Sequence, residues 1–218
     1  MNKEWSELNK VMQNKIKRDE TYKDGLNSLF ELRNQLFKVL EDFYHELSRE
    51  EFDAIPFINV DGYHNKTIIY SIYHIFRIED IVVHELISND KQIFFIENYQ
   101  ERMNSPIITT GNELVREQIT EFSKHLNLKE LYSYISDVKV STEKIIKNLS
   151  FGDLKRKIPA IKKECLKFLH VVSDDEKANW LIDYWCSKDV LGLIKMPLSR
   201  HWIMHIEACL RIKRKIHS

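Results

Sequence analysis

From residue 26 to 47, "LNSLFELRNQLFKVLEDFYHEL", apolar side chains recur every three or four positions, placing Leu29, Leu32, Leu36, Val39, Leu40 and Phe43 on one stripe with charges opposite. That period predicts an amphipathic helix, and Asp24 and Gly25 just before it read as its start signals. The stretch "SREEFDAIPFINVDGYHNKT" carries Pro56 and Gly62 and predicts a long loop. Residues 66 to 87, "KTIIYSIYHIFRIEDIVVHELI", are apolar on nearly every side, as expected of a helix central to a bundle. Further helices are predicted at 91–102, 112–124, 128–148 and 151–169, and then a final pair, "DEKANWLIDYWCSKDVLGLIK" and "PLSRHWIMHIEACLRIKRKI". Asp175 or Asp174 is placed to cap the first of the pair, and Pro197 opens the second, where a missing N–H costs little. Arg211, Lys213, Arg214 and Lys215 close the last helix, where positive charge complements the helix dipole.

Only five glycines and four prolines punctuate 218 residues, too few for many short strands and tight turns, so the expected fold is all-α. No internal repeat or glycine- and serine-rich linker divides the chain. The expectation is one helical domain over residues 25–218, preceded by a charged arm or peripheral helix over residues 1–24. Lysine plus arginine and aspartate plus glutamate both total 33, which leaves no electrostatic footprint for nucleic acid or an anionic membrane. The three cysteines, Cys165, Cys186 and Cys209, are odd in number and lack CxxC spacing, which argues against a disulfide framework or a zinc knuckle and fits a reducing cytoplasm. The start "MNKEWSELNK" has no apolar core of a signal peptide, and no apolar run approaches the roughly 18 residues of a membrane span. A soluble, cytoplasmic chain is expected.

The candidate chemistry lies in histidines. His201 and His205 stand four apart in the last predicted helix, so one face carries both imidazoles and they can share one ion. With nine histidines in the chain, about 0.4 such pairs arise by chance, and a third donor from another helix is needed. His74, midway along the most apolar helix, is that candidate, because Tyr70, Ser71 and Arg77 make its face unusually polar for an interior element.

These residues carry a resemblance. "IYSIYHIFRIEDIVVHELI", followed some 115 residues later by "GLIKMPLSRHWIMHIEACLRIK", resembles the DinB-like (YfiT-like, damage-inducible) superfamily of four-helix-bundle metalloproteins. The resemblance spans about residues 26 to 215. Its short motifs are moderately specific: a second-helix histidine followed five residues on by an acid, matched by His74 and Glu79, and an H-x-x-x-H on the last helix, matched by His201 and His205. It implies a four-helix bundle with additional peripheral helices and a divalent metal, such as nickel, zinc or iron, held by His74, His201 and His205. Many members carry an HHRGQ-like run after the last ligand, where this chain has Ala208 and Cys209. A register shifted by one turn would pair His205 with Cys209. The His201 and His205 pairing is taken because imidazole suits nickel, zinc and iron alike and needs no thiolate.

Three neutral imidazoles would leave such an ion with open positions, and the ion would lower the pKa of a bound water or thiol towards neutrality. The superfamily includes thiol-dependent transferases and isomerases, so the resemblance implies an enzyme of thiol transfer acting on small electrophiles, with a low-molecular-weight thiol as co-substrate. A metal-dependent hydrolase and a non-catalytic stress-associated binding protein with a structural metal are the alternatives. Each imidazole should give its second N–H to an acceptor, and Glu79, Asp80, Asp183 and Glu207 are available. Glu79 lies about 140° around the helix from His74 and should face a neighbouring helix. Arg77 is expected in a buried ion pair, with an anionic substrate as the other reading. His45, His125, His170 and His217 read as solvated, His64 as a surface or pocket-rim residue, and His84 lies about 280° from His74 and outside the site. Trp180, Tyr184, Trp185 and Trp202 read as core with one or two at a pocket mouth, and Cys209 as a small buried hydrophobe. A homodimer through helix faces is compatible with the pattern, although no heptad marks an interface.

Overall fold

The stripe of residues 26–47 lies on the longest helix of the protein, in a computed structural model that describes residues 2–58 and 62–218. The helices are α1 (Lys3–Lys15), α2 (Tyr22–Glu46), α3 (Arg49–Asp53), α4 (Ile68–Asp80), α5 (Ile93–Ile96), α6 (Tyr99–Arg102), α7 (Glu117–His125), α8 (Leu128–Lys147), α9 (Ile161–Phe168), α10 (Glu176–Cys186), α11 (Val190–Lys195) and α12 (His201–Ile216). Among the described residues there is no strand, only an isolated bridge between Lys157 and Asp189. The fold is all-α. No helix among the described residues is long and apolar enough to cross a membrane.

Local chemistry sets the helix starts. Thr67 caps α4 by accepting from the Tyr70 amide, Asn127 caps α8 through Glu130, and Asp175 caps α10 through Lys177, the first of the two aspartates named above. On α2, Leu29, Leu32, Leu36 and Leu40 are fully buried, as the period predicts. The helix nonetheless starts at Tyr22, so Asp24 and Gly25 sit inside its first turn rather than before it. Gly25 is there for contact: a Cβ on it would lie 2.5 Å from the backbone nitrogen of Ile16 at the end of α1. The N-terminal segment is therefore a helix packed along α2, with Trp5, Met12 and Ile16 buried.

Other boundaries also move. Residues 91–102 form two single turns, α5 and α6, broken where Asn98 takes a left-handed conformation (φ 54°). The helix expected over 112–124 begins only at Glu117, after Arg116 at φ 44°. The stretch 151–169 is split into a short 3₁₀ turn and α9 by Pro159, whose ring and missing N–H do not fit a helix interior. The stretch 174–195 is split at Ser187–Asp189, with the Asp189 carboxylate capping α11. Pro197 stands at the opening of the last helical stretch, as expected, one turn before α12 itself. It lies within a π-helical turn, Met196–Arg200, that joins α11 to α12, and such widening accommodates a residue without an N–H. α4 likewise runs on into a π-helical segment, Ile81–Ser88.

α4 is buried along its whole length and packs against α8 and α12, while α12 also touches α2. Two apolar clusters form the core. One holds Leu32 and Leu36 of α2, Phe76 of α4 and Trp202 of α12; the other holds Leu29, Ile78, Val82 and Leu198. Fully buried charges accompany these clusters. Arg33 donates to both oxygens of Glu79 at 2.7 and 2.9 Å, to Glu143 at 3.3 Å and to the Leu198 carbonyl at 3.0 Å. Trp202 Nε1 donates to Glu79 at 2.8 Å. This network ties α2, α4, α8 and the start of α12 together beside the histidines.

Candidate metal centre

His74 points inward from the middle of α4, and its ring orientation is fixed by a backbone group. Its Nδ1 lies 2.8 Å from the Thr110 carbonyl. A carbonyl only accepts, so Nδ1 carries the proton and Nε2 presents a lone pair. The carbonyl reaches the ring because Gly111, at φ 78°, turns the chain tightly against Tyr70, whose hydroxyl donates to the Gly111 carbonyl at 2.9 Å. Tyr70 in turn stacks on His74, with ring centroids 5.7 Å apart and planes inclined by 10°.

His201 and His205 begin α12 immediately after the π-helical turn, one turn apart on the face that meets α4. His201 Nε2 is 3.3 Å from His74 Nε2. Ring centroids are 5.1 Å apart for His74 and His201, 4.8 Å for His74 and His205, and 4.5 Å for His201 and His205. One donor atom from each ring falls within 4.8 Å of the other two. All three positions are buried and lie close enough together to hold one ion.

The electrostatics favour the ligand form. Burial pushes the His74 pKa down to about 4, against a small upward pull from the Thr110 carbonyl, and the Lys66 ammonium lowers it further. Burial holds His201 and His205 well below the ordinary histidine value, with the neighbouring rings adding to the effect. All three rings are therefore neutral at pH 7, as metal binding requires. Nδ1 of His201 and Nδ1 of His205 are buried without a hydrogen-bond partner among the described residues, a cost on the order of 1–3 kcal/mol each. Two nitrogens about 2.1 Å from one ion in tetrahedral geometry stand about 3.4 Å apart, close to the observed 3.3 Å between His74 and His201. The donor set fits a divalent ion, and it offers three donors rather than a closed four.

The triad opens on a cavity of about 500 Å³ lined by Tyr63, Lys66, Tyr70, Trp180, Tyr184 and Trp185, among others. Tyr63 meets His205 edge-on at 4.7 Å. Lys66 Nζ sits 5.6 Å from the Tyr70 ring centroid. Trp180 is half exposed at the cavity and Trp185 is buried, so the tryptophans and tyrosine of α10 are both wall and core. Trp202 packs on Phe76 in the core, away from the cavity lining.

The remaining candidates fall elsewhere. Arg77 makes the expected buried ion pair, with Asp80 at 3.4 Å, and donates to Gln92 and the Ile108 carbonyl. Glu79 faces α2, as its angular position predicts. None of the four carboxylates offered as histidine acceptors takes that part. Glu79 serves Arg33, Asp80 serves Arg77, Tyr134 and two backbone amides, Asp183 pairs with Lys163, and Glu207 accepts from the Asn2 amide. Cys209 is fully buried in the apolar cluster and its thiol is pushed up to about 12 by burial. Ser71 bonds back to the Thr67 carbonyl. His84 is held between Asp90 at 2.5 Å and Ser141 at 3.2 Å, apart from the triad. His64 packs on Phe57, and His45, His125, His170 and His217 are exposed. Sequence reasoning missed Thr110, Lys66 and Tyr63; only the turn signal in "TTGN" hinted at a backbone group near His74. Compared with known protein families, curated proteins and solved structures, the chain matches none of them.

Proposed function

We propose that His74, His201 and His205 hold one divalent metal ion inside a four-helix bundle of the DinB-like kind, formed by α2, α4, α8 and the α11–α12 rod. The protein is then a metal-dependent enzyme of thiol transfer that acts on small electrophiles. One observation carries this reading: three neutral, buried imidazoles from two distant segments converge at the wall of an open cavity. A structural site is normally closed by four protein donors, whereas a catalytic one keeps a position for substrate. A divalent ion held here lowers the pKa of a coordinated thiol or water towards neutrality and can polarise an electrophile.

The chain's own residues supply the rest. The Thr110 carbonyl fixes the His74 tautomer so that Nε2 faces the other two rings. Tyr70 and Tyr63 hold the rings of His74 and His205 in place. The Arg33–Glu79–Trp202 network fixes α12 against α4 next to His201, which keeps the donors in one geometry. The aromatic walls exclude bulk water from one side of the cavity, so charge developed there meets a low dielectric.

The test combines metal analysis of the purified protein with conjugation assays using several low-molecular-weight thiols and with ester hydrolysis. Stoichiometric metal, lost together with thiol-transfer turnover in His205→Ala, is the expected result. Bound metal without turnover on any thiol or ester would make this a non-catalytic binding protein, and ester cleavage alone would make it a hydrolase.

A further inference from the structure

A second group of chemically active side chains lies beyond the candidate metal centre. His84 belongs to the π-helical segment Ile81–Ser88 that continues α4, roughly 15 Å of helix rise from His74, so the two places do not overlap. Its Nδ1 lies 2.5 Å from Asp90 Oδ1, and its Nε2 lies 3.2 Å from the hydroxyl of Ser141 on α8. A carboxylate only accepts, so Nδ1 carries the proton and Nε2 of the neutral ring accepts from Ser141 Oγ. Asp90 is itself fixed. Asn89, left-handed at φ 61°, turns the chain back, the Asp90 amide donates to the His84 carbonyl at 2.9 Å, and Ser88 Oγ donates to Asp90 Oδ2 at 2.9 Å. Asp80, held by the Ile93 and Phe94 amides, brings a second carboxylate oxygen to 3.8 Å from Nε2. The His84 ring is buried, whereas the Asp90 side chain is 50% exposed and Ser141 is half-buried, so the group reaches the surface.

We infer that Ser141 is an activated nucleophile that takes the acyl group of a small activated ester, with His84 as its general base and Asp90 as the residue that positions the ring. A serine hydroxyl is a weak nucleophile until a base stands within hydrogen-bond reach and a third group orients that base. Ser141, His84 and Asp90 meet both conditions. In the step, Ser141 Oγ bonds to the acyl carbon and the bond from that carbon to the leaving oxygen breaks. The serine proton passes to His84 Nε2 and from there to the departing alkoxide or phenoxide. The ring is cationic while it holds that proton, and the carboxylates of Asp90 and Asp80 beside its two nitrogens offset the charge. An activated ester brings its own good leaving group, so the first step needs only these residues. No residue of the metal centre takes part.

The experiment exposes the chelator-treated protein to p-nitrophenyl acetate and, separately, to diisopropyl fluorophosphate, whose phosphorus takes the serine oxygen as fluoride leaves. Adducts are located by peptide mass mapping and their rate of formation is followed over pH. A single acetyl or phosphoryl group on Ser141 is expected, forming faster as pH rises and His84 gives up its extra proton. His84→Gln should slow it about a hundredfold and flatten the pH profile. Asp90→Asn should slow it at least about tenfold, because an amide favours the wrong ring tautomer. Asp90 and Ser141 are not core positions, so Asp90→Asn and Ser141→Ala keep the test open even where His84→Gln fails to fold. No adduct on Ser141, or one that forms at the parental rate in His84→Gln or Asp90→Asn, overturns the inference. Release of nitrophenol that survives chelation and disappears in Ser141→Ala supports it. Release that is lost with the metal and unchanged in Ser141→Ala counts against Ser141 and belongs to the centre proposed above, so the two readings fail separately.

Discussion

Arg33 and Glu79 are both fully buried, and each is compensated only by the other and by a few named partners. Removing one member of such a pair leaves an isolated charge in the interior, which typically costs about 3–5 kcal/mol. Arg33→Met is therefore expected to lower the urea midpoint of the metal-free protein sharply. The double variant Arg33→Met with Glu79→Leu should recover most of the loss, since it removes both charges. A single substitution with no effect on the midpoint would show that Glu79 finds another partner and that the network does not anchor α12. Trp202→Phe removes one hydrogen bond to the same carboxylate and should cost less, about 2 kcal/mol, with metal affinity reduced because Trp202 adjoins His201. At this scale the sequence spoke clearly for some residues and not for others. The angular position of Glu79 on its helix told which way it faces, and Arg77 was legible as half of a buried pair, because both follow from 3.6-residue geometry and the cost of bare charge. The acceptor for His74 was not legible. A carbonyl carries no side-chain signature, and the four carboxylates Glu79, Asp80, Asp183 and Glu207 looked better suited.

Among the elements, the helices that sequence reading located best are those whose apolar stripe is long and whose cap is a polar side chain. Residues 128–148 were expected to be helical and Leu128–Lys147 is; residues 66–87 became α4 with its π-helical continuation. The misplaced boundaries are those decided by a single backbone feature: Pro159 within a periodic stretch, the left-handed Asn98 and Arg116, and Asp189, which caps a second helix within what looked like one. Gly25 was legible as a glycine near a helix start and not as the contact point of two helices, because its partner Ile16 is on a different element. That contact yields a prediction for the α1–α2 pair. Gly25→Ala places a methyl group against backbone atoms of Ile16 that cannot rotate away, so α1 must shift. A loss of about 1–3 kcal/mol or more is expected, together with faster proteolysis between residues 16 and 21, while metal content stays as in the parent. An unchanged melting temperature would mean that α1 is already loosely docked.

The molecule as a whole buries a set of polar and charged groups, including the three imidazoles, alongside two apolar clusters, and balances 33 positive against 33 negative side chains. The all-α class was legible from the scarcity of glycine and proline together with helical periodicity. The convergence of the histidines was legible only as a bet on two motifs 127 positions apart, because no local pattern states that two helices face each other. Burial of the three imidazoles has a consequence for stability against pH. The His74 pKa is about 4 in the folded chain against 6.5 for an exposed ring, and those of His201 and His205 are lower than ordinary as well. Between pH 6.5 and 4 the unfolded chain takes up protons that the folded chain refuses. The contribution of His74 is thus fully present above pH 6.5 and is lost as pH falls through that window, at up to about 1.4 kcal/mol per pH unit, and His201 and His205 act in the same direction. Bound metal competes with protons only where the folded rings accept them, so its own stabilisation should persist through that window and fall away as pH drops past about 4, where His74 protonates. Urea midpoints of the chelator-treated protein should fall between pH 7 and pH 5 more steeply for the parent than for His201→Gln, in which one titrating ring is missing. Parallel curves for the two proteins would mean that the rings are solvated in solution, and the buried triad on which the metal centre depends would have to be given up.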